Sequence, residues 1–125
     1  MSIEDTIQDM LNKPYVVEGP DQSHRHVCWS FCCEIYNLFD MQLQPLLYYT
    51  DKQALYRVAE PQLNCIVLFH MVLDWHAGVV WPDILHFIHA APVDIHDREN
   101  TAYIACKERL TVWPHNLLIE GYYAA

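Results

Sequence analysis

Positive charge is what this chain has least of: seven Lys and Arg stand against sixteen Asp and Glu, for a formal net charge of -9 with His neutral. Phosphate backbones are bound by clustered Lys and Arg, so the shortage excludes a nucleic-acid surface. Long apolar runs are missing too. The longest, Cys65 to Leu73, is broken by His70 and falls short of the roughly 18 residues a membrane-spanning helix needs. The N-terminus, MSIEDTIQDML, is acidic and amphipathic, whereas a secretory signal is basic and then apolar, which predicts synthesis in a cytoplasm. Five cysteines, odd in number and with two adjacent at Cys32 and Cys33, make no disulfide framework in such a compartment, so free thiols are expected. No internal repeat or low-complexity segment is found.

What is present points to one compact domain spanning 1–125, since 53% of the residues are apolar and 18% charged, enough for one core and not for two. Ser2 with Asp5 resembles a capping box with the shorter acid, and Ile3, Ile7, Met10 and Leu11 share a helical face, so a helix is predicted from about Ile3 to Asn12. Pro14 stops it, and Tyr15 to Asp21 reads as an extended piece entering a loop. Cys28 to Phe39 carries apolar side chains at helical spacing and is the expected buried central helix. A short capped helix is expected at Lys52–Ala59, and a central strand at Cys65–Phe69. Further strands are expected at Tyr103–Cys106 and Leu110–Trp113. Helices first and strands later predict an α+β fold, with N-terminal helices packed on a small antiparallel sheet.

The stretch Trp75 to Ala90, WHAGVVWPDILHFIHA, is the expected centre of the chemistry. Apolar runs flank Pro82-Asp83, a turn pair because Pro presets φ at a corner and Asp tolerates it, so a β-hairpin is predicted. With a two-residue loop, His76 falls directly opposite His89, with Cβ atoms roughly 4.5–5.5 Å apart on one face. A longer loop shifts the register; a shift of two keeps both imidazoles on that face, and an odd slip separates them. Cys28 is expected at its helix start, where orphan N–H groups and the helix dipole favour a thiolate. A Cys there, with two His on adjacent strands, is the arrangement of a papain-like thiol enzyme: nucleophile, base, and a group that fixes the base's tautomer.

At these residues the chain resembles the NlpC-type cell-wall peptidases, a papain-like family. Its motifs are an Asp-Cys-Ser-Gly-like helix opening, a Gly-Asp-led apolar strand, a His-x-Gly-Ile/Val strand and a strand ending in His-Ala. The matching stretches are Val27-Cys28-Trp29-Ser30, Asn64-Cys65-Ile66-Val67-Leu68-Phe69, His76-Ala77-Gly78-Val79-Val80 and Phe87-Ile88-His89-Ala90, preceded by Lys13-Pro14-Tyr15. The resemblance runs from about Pro14 to Ala90. It implies an NlpC-type fold with Cys28 as nucleophile, His76 as general base and His89 as its orienter. The oxyanion would be met by the Cys28 backbone N–H with help from Tyr15. It further implies a cysteine peptidase without cofactor, acting on peptidoglycan stem peptides with D-glutamate and a diamino acid. The expected setting is a bacteriophage tail tip or injection machinery among other tail or assembly proteins, with the virion as location. Val27 replaces the family's Asp, Ser30 a small residue, and Asn64-Cys65 the Gly-Asp pair, which implies altered substrate binding or relaxed constraint.

Two other readings stand beside this one. His24, His26, Cys28, Cys32 and Cys33 are zinc-type donors close in sequence, in no recognised zinc spacing, and a metal on Cys28 would forbid its use as nucleophile. A non-enzymatic assembly component would keep the fold, with Trp29, Trp75, Trp81, Trp113, Tyr122 and Tyr123 serving as interface anchors or, more simply, as core.

Overall fold

A computed structural model describes residues 2–43, 55–71, 74–94, 97, 101–111 and 118–124. Its first helix, α1 (Ile3–Met10), opens where the Ser2 hydroxyl accepts the Asp5 N–H at 3.0 Å and buries Ile7. Asn12, at φ 64, ends it in the left-handed region that Asn tolerates. The Asn12 N–H then bonds the Ala105 carbonyl at 2.6 Å, and the chain continues as β1 (Pro14–Tyr15).

The second helix, α2 (His24–Leu38), begins four residues before the expected position, on a Ser23 cap whose hydroxyl accepts the His26 N–H. Apolar spacing does not reach the polar turn His24-Arg25-His26, which is helical because Ser23 satisfies one of its orphan donors and which buries His24 although that side chain is polar. Phe31, Cys32 and Ile35 are fully buried on α2, and burying a side chain such as Phe31 or Ile35 contributes about 1.5–3 kcal/mol.

α2 lies on one seven-stranded sheet of order β1-β6-β5-β4-β3-β7-β2, every neighbouring pair antiparallel. The remaining strands are β2 (Tyr56–Val58), β3 (Ile66–Met71), β4 (Asp74–Val80), β5 (His86–Pro92), β6 (Tyr103–Arg109) and β7 (Ile119–Ala124). The architecture is α+β, with N-terminal helices against an antiparallel sheet. On β3, Ile66 and Leu68 join the α2 core while Val67 and Phe69 pack with Cys65, Val80, Phe87 and Leu110 on the opposite face. A strand buried on both faces accounts for the unbroken apolar run.

Two expectations are corrected. Tyr56–Val58 is an edge strand paired with Tyr122–Ala124, not the end of a helix; residues 52–54 of that expected helix lie outside the described residues. Leu110 and Thr111 form a turn after β6 instead of a strand, and 112–113 lie outside the described residues. Trp29, Trp75, Trp81 and Tyr123 are buried, so they are core residues and not interface anchors. Val27, where the resemblance expects Asp, is also buried. Asn64, where it expects Gly, sits at φ 69, a conformation that Asn adopts more readily than other residues with side chains.

The hairpin β4–β5 positions the site. Trp81 N–H still bonds the His86 carbonyl at 3.1 Å, so the loop proper is the four residues Pro82 to Leu85, with the Asp83 carboxylate accepting the Leu85 N–H at 2.8 Å and contacting His86 at 2.7 Å. The register is therefore Val79 with Ile88 and Val80 with Phe87, two residues from the two-residue-loop count. Carried one step on, it sets His89 across from Gly78, and His76 diagonal to His89 on the same face. Gly78 is required by that approach: a Cβ would meet the Ile88 carbonyl oxygen and the Phe87 ring at 2.8 Å and the His89 Cβ at 3.3 Å. Gly78→Ala is expected to cost about 1–3 kcal/mol, read as a lower denaturation midpoint in urea; an unchanged midpoint would show that β5 can yield.

Candidate active site

β4 and β5 pair only at Val79/Ile88 and Val80/Phe87 among the described residues. Towards Asp74 and Pro92 they part, while β3 stays paired to β4 and β6 to β5 along their lengths. His76 and His89 sit at this split. Each is almost fully buried, and Phe69 and Phe87 pack against their rings.

A continuous line of polar groups runs through the split. Tyr103 Oη lies 3.2 Å from His24 Nδ1, His24 Nε2 lies 2.9 Å from His76 Nδ1, His76 Nε2 lies 2.6 Å from His89 Nδ1, and His89 Nε2 lies 2.6 Å from Glu108 Oε2. An ionised carboxylate only accepts, so Glu108 fixes the direction of the whole line for neutral imidazoles. His89 Nε2–H donates to Glu108, His76 Nε2–H to His89, His24 Nε2–H to His76, and the Tyr103 hydroxyl to His24. In that arrangement His76 is the tautomer whose Nδ1 carries the lone pair and accepts from His24. The Cys106 sulfur lies 3.3 Å from His89 Nε2, because His89 and Cys106 are register partners and Glu108 is two residues further along the same face of β6.

Cys28 lies over β4. Its Sγ and one ring nitrogen each from His24 and His76 are mutually within 4.8 Å, and it donates to the Arg25 carbonyl at 3.4 Å. As the fifth residue of α2 it is not at the helix start, and its N–H is in register for the helix's own bond to His24. Burial pushes its thiol up to about 12, opposed by the Ala77 backbone N–H and reinforced by the Asp74 charge. The expected preformed thiolate is therefore replaced by a neutral thiol. Between the ordinary value near 9 and about 12 the unfolded chain loses this proton while the folded chain keeps it. Stability from this group is thus full below pH 9 and is lost as pH rises through that window. Denaturation midpoints are expected to fall from pH 9 to 11, less steeply in Cys28→Ala; parallel slopes in the two proteins would refute the assignment to Cys28.

Of the four residues singled out in sequence, His76 lies near Cys28 and is hydrogen-bonded to His89. Tyr15 packs on Phe31 with ring centroids 5.2 Å apart. Burial, and after it a hydrogen bond to Glu34, raise its hydroxyl pKa, so its contacts run to turns of α2 beyond Cys28. Of the zinc-type set, His24 and Cys28 converge, while His26 turns outward towards Asp21 at 3.8 Å. Sequence reasoning missed Tyr103 and Glu108. The only signal for Glu108 is its i, i+2 spacing from Cys106, which is silent until the register with His89 is known, and Tyr103 carries none.

No family profile matches the sequence, and no curated protein does. Among solved structures, one from Staphylococcus aureus subsp. aureus Mu50, described as similar to lipoprotein, NLP/P60 family, superposes with a TM-score of 0.63 at 18% identity. The alignment covers 98% of this chain and 39% of that one, so this chain spans well under half the length of its structural neighbour. At such low identity the likeness concerns the fold, and it extends over nearly the whole chain: the histidine line and Cys28 are set in a fold shared with an NLP/P60-family structure.

Proposed function

We propose that the protein is a papain-like cysteine hydrolase that cleaves an amide bond in peptidoglycan stem peptides, through an acyl-enzyme on Cys28. The observation that carries the reading is the convergence of Cys28 Sγ with His76, behind which His89 stands at 2.6 Å. Because the resting thiol is neutral, catalysis begins with general-base removal of its proton. His24 gives up its bond to His76 Nδ1, the freed lone pair takes the Cys28 proton, and Sγ attacks the substrate carbonyl carbon. The resulting imidazolium donates its Nε2–H to His89, and through it reaches the Glu108 carboxylate. His76 then returns the proton to the leaving amine, and water, deprotonated by the same nitrogen, releases the acid product. A part for Tyr15 in meeting the oxyanion belongs to the same proposal and requires its hydroxyl to leave Glu34.

The stem-peptide substrate is proposed on the sequence resemblance, and the NLP/P60-like fold is consistent with it. A phage tail tip or injection device, with tail proteins as partners and the virion as location, follows from the sequence resemblance alone. Digestion of purified walls of several chemotypes tests the substrate: new amino groups at stem-peptide residues, identified by mass spectrometry, are expected. No release from any wall would leave the second reading, a degenerate member serving assembly. The complete burial of Cys28 and the Val27 side chain standing in the core favour that alternative.

A further inference from the structure

We propose that His24, Cys28 and His76 form a three-ligand site for Zn²⁺ or a related divalent transition metal, and that metal bound there masks the thiol. His24 and Cys28 are four residues apart on α2, hence on one helix face, and His76 meets them from β4. The donors are two imidazoles and one thiol, the set to which zinc is suited, and three protein ligands leave a fourth position open for water. Their atoms already cluster within 4.8 Å, with the His24 and His76 nitrogens 2.9 Å apart. Tetrahedral zinc with Zn–N bonds of 2.0–2.1 Å and a Zn–S bond near 2.3 Å sets its nitrogens about 3.3 Å apart and sulfur about 3.6 Å from each. The two nitrogens therefore need to separate by about half an ångström and turn from each other, where they are hydrogen-bonded, towards a common point, and the sulfur, within 4.8 Å of both, needs to close to about 3.6 Å.

The outer nitrogens are prepared for this. Metal-bound imidazoles are oriented by a partner on the other ring nitrogen, commonly a carboxylate. His76 Nε2 is bound to His89, and through it to Glu108; His24 Nδ1 faces Tyr103 Oη. On metal binding, Cys28 releases its proton to solvent. His24 moves its proton from Nε2 to Nδ1, where it donates to the tyrosine oxygen, which can accept as well as donate. His76 needs no proton shift, because the Nδ1 lone pair that accepts from His24 is released when the His24 proton moves. The masking consequence rests on Cys28 being the nucleophile; the metal site itself does not.

The test is Co²⁺ titration of the full chain, followed by absorbance. One equivalent is expected to produce a thiolate-to-cobalt band in the near ultraviolet together with tetrahedral d–d bands, all abolished by one equivalent of Zn²⁺. Cys28→Ser and His24→Ala are expected to weaken binding at least tenfold, whereas Cys106→Ser, in the neighbouring group of His89, Cys106 and Glu108, should leave it intact. Zinc should also raise the melting temperature of the wild type but not of Cys28→Ser, a comparison that holds if His24→Ala fails to fold. Absence of the bands at millimolar Co²⁺, or bands lost in Cys106→Ser and kept in Cys28→Ser, would overturn the proposal. Wall hydrolysis by a protein without the bands would remove the metal site and leave the enzyme; bands in a protein inert towards every wall would do the reverse.

Discussion

Cys28→Ala is expected to lower stem-peptide hydrolysis by about 10⁴-fold or more, because covalent catalysis disappears while any oxyanion and binding contacts remain. Cys28 is fully buried against Ala77 and α2, and the substitution removes one sulfur atom from that packing. The structural cost should be near 1 kcal/mol, small enough for the variant to fold. Amino-group release and denaturation midpoint therefore need to be measured on the same preparation. Equal release by wild type and variant would refute the role of Cys28 and turn the reading to assembly.

Glu108→Gln carries the second large effect, and it acts through other residues. The carboxylate is an acceptor with a full charge; the amide has nearly the same shape but can present either its oxygen or its N–H₂ to His89 Nε2. The histidine line then loses its obligatory direction, and the imidazolium formed on His76 loses its distant counter-charge. A drop of about 10- to 100-fold in turnover is expected, the usual range for a group that orients a functional imidazole. KM should change little, because the proposed route gives Glu108 no contact with substrate. A purely structural role would instead lower the denaturation midpoint and leave turnover per folded molecule unchanged.

The site was partly legible in sequence. Cys28, His76 and His89 stood out because soft and titratable side chains fell on predicted apolar elements, and side-chain alternation kept the two imidazoles on one face even though the loop was longer than counted. Apolar periodicity could not reveal that α2 begins at His24, since its first turn is polar and owes its helicity to the Ser23 cap. That difference moved Cys28 away from the helix end, and its complete burial, which the apolar pattern did not weigh against the dipole, shifts the thiol up instead of down. The strand at Tyr56–Val58 was misread because Ala54-Leu55-Tyr56-Arg57 has local helical character, and its extended form comes from pairing with β7, far later in the chain. Glu108 was invisible for a related reason. Its role exists only through the His89–Cys106 register, which no local pattern encodes.

The central claim is that Glu108 orients the line of imidazoles so that the lone pair of His76 lies on Nδ1, where it accepts from His24 at rest and is freed for the Cys28 proton when that bond opens. Long-range ¹⁵N–¹H correlation of the histidine side chains reads this directly, because protonated and unprotonated ring nitrogens resonate far apart. At neutral pH and without metal, His24, His76 and His89 are expected to carry their protons on Nε2, and Glu108→Gln should mix or reverse that pattern. His76 found with its proton on Nδ1 in the wild type, or a pattern unmoved by Glu108→Gln, would contradict the claim.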